Sequence, residues 1–164
     1  MSGAVDNGIL PRYTIPRKEV TAVKKEKNRW VLPVLIGAVT LFIWGQSLLP
    51  GKVSAQESGF FTTLLAGLLG LDAVPAWMHD VVRKLAHFTE FGVLGGLWSG
   101  QNARRPARLS WLYGLAVASA DECLQMLSPD RGPAVTDVLI DYAGYLCGWL
   151  AVFGLIKIIR RKEK

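Results

Sequence analysis

The sequence predicts an all-α membrane protein, a bundle of four transmembrane helices with an amphipathic helix on the outer side of the membrane. The strongest observation is an uncharged stretch at residues 30–49. At a rise of ~1.5 Å per residue, 20 helical residues match the ~30 Å hydrocarbon core of a bilayer. Residues 109–120 and 142–156 are further uncharged runs. Charges therefore concentrate at the ends of apolar segments.

The first part of the chain predicts an arm, a span and a surface helix. Residues 1–29 carry seven Lys and Arg with prolines and glycines, which is typical of a flexible basic arm. The first span follows at residues 30–49. After it, Ser54 and Glu57 have the spacing of a capping box, and the apolar residues of 60–69 recur at helical spacing. This pattern predicts an amphipathic helix on the membrane surface that ends near Gly70.

Three further spans complete the predicted bundle. The second is less obvious, because residues 85–100 are short for a crossing and carry His87 and Glu90, so its helix is extended back to give a span at residues 76–100. The third and fourth are placed at residues 109–127 and 136–156, and the prolines and glycine at 129–133 predict a tight turn between them. The membrane domain thus covers residues 30–156, followed by a basic cytoplasmic tail at 157–164.

The distribution of basic residues predicts the orientation in the membrane. With four spans and a cytoplasmic N-terminus, 15 of the 19 Lys and Arg lie on the cytoplasmic side. Both termini are therefore expected in the cytoplasm of a multi-pass cell-membrane protein. The formal charge of +6 is explained by this bias, so no nucleic-acid partner is expected.

Ionisable residues within the predicted spans indicate a functional region, because each one costs roughly 3 kcal/mol near the bilayer centre. At a rise of ~1.5 Å per residue, His87, Asp121 and Asp141 lie about 17 to 22 Å from the cytoplasmic ends of their spans. Polar residues at a somewhat higher level are Lys84, Glu122, Gln125 and Asp137. Three helices thus place polar groups at one depth, which predicts a polar pocket in the outer half of the membrane.

Three sequence blocks carry a resemblance to a known family. Residues 83–91 read RKLAHFTEF, residues 120–125 read ADECLQ, and residues 131–144 read RGPAVTDVLIDYAG. In order and spacing these blocks resemble the signature of the VanZ-like family of bacterial membrane proteins. The chain departs from it at Leu124, where the family often has histidine. The resemblance implies a protein of the bacterial cell envelope, related to reduced susceptibility to glycopeptide antibiotics.

Two functions and one structural explanation remain open for this cluster. In the first, His87, Glu90, Asp121 and Glu122 act as acid and base catalysts on a lipid-linked or cell-wall-associated substrate. In the second, the pocket only binds a ligand, which is a lipid headgroup or precursor, such as an anionic or polyprenyl-linked lipid, or another envelope protein. In the structural explanation, the charges form buried ion pairs that hold the bundle together. The residues expected to bind the ligand are Lys84, Gln125, Arg131, Asp137 and Asp141.

Other features of the chain predict packing rather than chemistry. Cys123 and Cys147 lie in apolar segments, and the chain contains no recognised metal-binding spacing, so neither a metal nor another cofactor is expected. Membrane lipids are the expected partners. The glycine pairs Gly92/Gly96 and Gly144/Gly148 fit close helix packing, either within one bundle or between copies in an oligomer.

Overall fold

The computed structural model describes residues 29–104, 109–129 and 134–162. These residues form helices without a strand, which confirms the all-helical prediction. The predicted basic arm, apart from Arg29, lies outside the described residues, as does most of the predicted turn, including Arg131. The helices are α1 (Val31–Ser47), α2 (Gly51–Leu68), α3 (Ala76–Arg104), α4 (Ser110–Gln125) and α5 (Val135–Lys162).

The observed helix ends agree with several of the predicted ones. Helix α3 begins at Ala76, and α2 stops two residues before Gly70. Gly70 has a φ of +67°, and the amide of Leu71 donates a 2.9 Å hydrogen bond to the carbonyl of Ala66. Because glycine adopts a positive φ without steric cost, this position closes the last turn of α2.

Three helix ends differ from the predicted boundaries by three residues or more. Helix α3 continues to Arg104, four residues past the predicted end of the second span. Helix α2 begins at Gly51 rather than at Ser54, so the predicted capping box lies within the helix. Pro50 precedes the helix, and its fixed φ suits a chain entering a helix there. Helix α5 continues to Lys162, through residues predicted as a separate tail. Basic side chains in a last helical turn interact favourably with the helix dipole, which explains the continuation.

Helices α3 and α5 form the most extensive contact in the described structure. Their backbones meet at glycines: a Cβ atom on Gly148 would collide with the carbonyl of Gly92, and one on Gly144 with that of Phe88. A Cβ on Gly95 would likewise collide with the carbonyl of Tyr145. The glycine pairs singled out in the sequence therefore serve packing within this chain.

Helices α1 and α4 complete the core around this pair. The buried apolar cluster includes Ile43 from α1, Phe91 and Leu94 from α3, Val117 from α4 and Tyr145 from α5. The hydroxyl of Tyr145 donates a 2.6 Å hydrogen bond to the carbonyl of Ser110. One aromatic residue thus joins α5 to the start of α4 while its ring fills the core.

One described helix, α5, is long and apolar enough by itself to cross a membrane. Helix α1 is apolar but shorter, at 17 residues, as is the apolar segment Ser58–Leu68 of α2. Only 11% of the most apolar stretch of α5 is buried inside the protein. Its apolar side chains therefore face outward, which is unlike the core helix of a soluble domain.

Candidate functional site

Asp121 lies at the centre of the polar cluster and is fully buried. The hydroxyl of Ser47 donates a 2.6 Å hydrogen bond to its Oδ1 atom. The side-chain amide of Gln125, one turn further along α4, donates a 2.9 Å hydrogen bond to Oδ2. Because both oxygens are engaged, the carboxylate has a fixed orientation.

His87 on α3 faces two carboxylates at once. Its Nδ1 atom lies 4.0 Å from Oδ2 of Asp121 and 4.0 Å from Oδ1 of Asp141. The histidine side chain is 17% exposed, whereas that of Asp141 is 3% exposed. Three helices therefore bring one imidazole and two buried carboxylates to a common point.

A small cavity opens beside this point. Lys84 and Arg83 bring two cationic groups to the edge of this cavity. The ammonium of Lys84 is 3.5 Å from Oδ1 of Asp137, and a guanidinium nitrogen of Arg83 is 3.7 Å from Oδ1 of Asp80. Both ion pairs are partly exposed, so the cavity has a charged rim and a buried base. The residues that line the cavity are Arg83, Lys84, His87, Gln125, Asp137, Ile140 and Asp141.

Glu122 has a structural contact next to the cluster. Its side chain is buried, and its Oε2 atom accepts a 2.9 Å hydrogen bond from the backbone amide of Ala134. This bond connects the end of α4 to the residue that precedes α5. The geometry gives Glu122 a role in positioning the two helices that carry Asp121 and Asp141.

Of the nine residues that the sequence nominates, the structure brings six to the cavity or its base. Glu122 lies beside it, and Glu90 is partly buried on α3 and does not line it. Arg131 lies outside the described residues. The six are Lys84, His87, Asp121, Gln125, Asp137 and Asp141.

Ser47 and Arg83 are site residues that sequence reasoning did not nominate. Ser47 is the last residue of the apolar helix α1, and Gln46 and Ser47 are the two polar residues of its last turn. Which side of α1 faces Asp121 depends on the rotation of the helix about its axis, and two polar residues do not determine that. Arg83 belongs to the polar block at residues 83–91, but the sequence alone does not assign it to the pocket.

The arrangement suits two kinds of chemistry. An imidazole between carboxylates can accept or donate a proton, although 4.0 Å is longer than a hydrogen bond, so such a role needs a small closure of the site. Imidazole nitrogen and carboxylate oxygen are also the atoms that bind divalent metals in proteins. Among the described residues, His87, Asp121 and Asp141 form the group that could hold such an ion.

One of the three comparisons with known proteins finds a match, and it identifies the family. No curated protein and no solved structure matches the chain significantly. The VanZ/LLP1 family model matches residues 27–159, which include α1 to α4, α5 as far as Ile159, and all three polar blocks. The chain therefore belongs to the VanZ/LLP1 family.

Proposed function

We propose that this VanZ-family chain is a multi-pass protein of the bacterial cell membrane in which α1, α3, α4 and α5 cross the bilayer. Helices α3 and α5 are long enough at ~1.5 Å per residue, while α1 and α4 reach about 25 Å, close to the thickness of the hydrocarbon core. Large apolar side chains face outward on these helices, such as Val34, Leu41 and Leu150. A lipid environment covers this surface without the cost of exposing it to water.

The orientation follows from the basic residues. With α2 on the outer surface, Lys and Arg accumulate on the side that holds the two termini. The cavity then lies in the outer half of the membrane, because its residues come from the start of α3, the end of α4 and the start of α5. A ligand would enter it from the extracellular side or from the outer leaflet.

Within that topology, the pocket binds the anionic headgroup of a lipid-linked or cell-wall-associated ligand. The observation that carries this proposal is the position of Arg83 and Lys84 at the cavity, together with the partly buried His87 and the buried Asp141. Cations at a partly exposed rim attract a phosphate or carboxylate, and hydrogen-bonding groups beneath them can orient it. Arg131, in the segment between Asp121 and Asp141, is expected to add a third cation.

An apolar groove beside the cavity suits the chain of such a lipid. Helices α3 and α5 line an open groove of about 630 Å³ that includes Phe88, next to His87, and Gly144, one turn after Asp141. The cavity and the groove share no lining residue, but both lie along α3 and α5, and the groove begins one turn after Lys84 on α3 and one turn after Ile140 on α5. A lipid could place its charged end in the cavity and an acyl or polyprenyl chain along the groove.

Acid and base catalysis is a second candidate function, favoured by the position of His87 between two buried carboxylates. A purely structural ion-pair network is less well supported. Lys84 and Asp137 do pair, but among the described residues no lysine or arginine forms an ion pair with Asp141, and its neighbour at 4.0 Å is the imidazole of His87. A network that served only stability would be expected to give each buried carboxylate a cation.

The test is mass spectrometry of the lipids that co-purify with the full-length chain. We expect an anionic or polyprenyl-type lipid to be enriched with the wild type and lost in the double variant Arg131→Ala/His87→Ala. The matched control is His79→Ala/Lys157→Ala, which likewise removes one histidine and one basic residue, both outside the cavity. Identical lipid profiles for all three proteins would contradict lipid binding and favour the ion-pair network.

A single variant separates binding from catalysis. His87→Gln retains hydrogen bonding but removes the titrating imidazole. If the pocket only binds its ligand, this variant still enriches the lipid and still changes glycopeptide susceptibility when expressed in a sensitive host. If the pocket is catalytic, His87→Gln retains the lipid but no longer changes susceptibility.

A further inference from the structure

The cluster at the base of the cavity has the composition and spacing of a metal site. His87, Asp121 and Asp141 each offer one ligand atom, and these three atoms lie within 4.8 Å of one another. Around a tetrahedral ion with bonds of about 2.1 Å, neighbouring ligand atoms are about 3.4 Å apart. The observed distances of 4.0 Å from His87 to each carboxylate would close by about 0.6 Å.

The charges at this point favour a bound cation. Asp121 and Asp141 are both buried, and two neighbouring carboxylates in a low-dielectric environment repel each other strongly. Lys84 and Arg83 contact other carboxylates, those of Asp137 and Asp80. A divalent cation between the two aspartates would neutralise both charges at once.

Asp141 provides an independent indication of a ligand. The side chain of Asp141 is only 3% exposed to solvent, and it lines the cavity. Among the described residues none donates a hydrogen bond to it, whereas Asp121 accepts bonds from Ser47 and Gln125. Buried carboxylate oxygens normally accept hydrogen bonds or coordinate a metal, so a bound ion would satisfy this one.

We propose that His87, Asp121 and Asp141 bind one divalent metal ion of the zinc or manganese class. The mixed nitrogen and oxygen ligands suit these ions better than Ca²⁺ or Mg²⁺, which prefer oxygen alone. Ser47 and Gln125 orient the Asp121 carboxylate, as groups behind a metal ligand commonly do.

The ion would keep one position open toward the cavity. Three protein ligands leave a fourth site for water or for an anionic oxygen of a ligand, beside Lys84. The metal site does not depend on the proposed lipid, since it follows from the protein ligands alone. Sequence patterns do not reveal this site, because its ligands come from three helices and have no characteristic spacing along the chain.

The histidines allow a direct test with Zn²⁺ as the probe. The chain contains two histidines, His87 and His79, and both lie on α3. In full-length protein purified in detergent without added metal and labelled with ¹⁵N-histidine, we expect one equivalent of Zn²⁺ to shift the imidazole signals of His87. The signals of His79 should not move, and a His79→Gln variant assigns the two residues.

Calorimetry with Zn²⁺, and separately with Mn²⁺, measures the affinity. We expect one ion per chain in the wild type and a loss of at least tenfold in affinity for Asp141→Asn, which is about the effect of removing one ligand or its support. Asp72→Asn, which removes an exposed carboxylate between α2 and α3, outside the cluster, should bind like the wild type. Circular dichroism verifies that each variant is folded.

Three results would overturn the proposal. The first is a wild type that binds neither ion, as expected if Arg131 or protons neutralise the two aspartates. The second is equal affinity in Asp141→Asn, and the third is a shift of His79 rather than His87. Lipid enrichment with no metal binding would reject the metal site and leave the proposed lipid function standing.

Discussion

The hydroxyl of Ser47 donates a 2.6 Å hydrogen bond to Oδ1 of Asp121, a residue 74 positions later in the chain. Both groups are buried, and the bond joins the end of α1 to α4 at the level of His87. Helix α1 thus supports the polar cluster although it contributes no charged residue to it.

This bond predicts the effect of Ser47→Ala. The substitution leaves a buried carboxylate oxygen without its donor, so we expect the free energy of unfolding to fall by about 2 kcal/mol. Thermal unfolding in detergent micelles measures the change. Ser119→Ala, at an exposed position of α4, is the control and should unfold like the wild type. Equal melting temperatures for the two variants would show that the bond contributes nothing.

The glycine contact between α3 and α5 predicts a strong effect of Gly148→Ala. The added methyl group meets the backbone of Gly92, so the helices must separate, and we expect a loss of about 2 kcal/mol or more. Gly154→Ala is the control on the same helix, because a Cβ atom there has no neighbour within 4 Å. It should be neutral or stabilising, since alanine favours the helix by about 1 kcal/mol. A similar melting temperature for both variants would contradict the close approach.

The hydrogen bond from Tyr145 to the carbonyl of Ser110 predicts a smaller effect. Tyr145→Phe keeps the ring that fills the core and removes only the hydroxyl, so we expect a loss of about 1 kcal/mol in the free energy of unfolding. Tyr142→Phe is the comparison, because within the described structure its hydroxyl makes no hydrogen bond. Chemical denaturation of both variants in the same detergent distinguishes them, and an equal loss would assign the effect to something other than this bond.

The proposed topology predicts which positions react with an impermeant thiol reagent. In a background with Cys123→Ala and Cys147→Ala, we expect Ser58→Cys to be labelled on intact cells and Gln101→Cys to be labelled only after permeabilisation. Ser58 lies on α2 and Gln101 near the end of α3, so they are assigned to opposite sides. The reverse pattern would place the cavity on the cytoplasmic side and exclude a ligand from the outer leaflet.

Helix positions were largely predictable because the physics that determines them is local. Apolar runs and the turn residues between them predict the start of α3 at Ala76, where the structure has it. They predict the starts of α4 and α5 to within two residues. The larger differences between predicted and observed boundaries, at the start of α2 and the ends of α3 and α5, concern how a helix end is stabilised. Several residues can serve that purpose, so the sequence alone does not choose between them.

The sequence predicts which residues of the cluster come together, but not the contacts that each of them makes. A constant rise per residue puts His87, Asp121 and Asp141 at one level, and the structure places their side chains side by side. The support from Ser47 and the ion pair between Lys84 and Asp137 depend on how each helix is rotated. That rotation is a property of the whole packed bundle, so no single segment reveals it.

The backbone contact of Gly144 and Gly148 with α3 also restricts how this protein can move. A residue in a helix lies about 100° around the axis from the next, so sliding α5 by one position would turn Asp141 away from His87. It would also put side chains where only glycine fits against Phe88 and Gly92. Sliding of α5 along α3 is therefore disfavoured, and we expect any opening of the cavity to come from displacement of α4, the third helix that lines it.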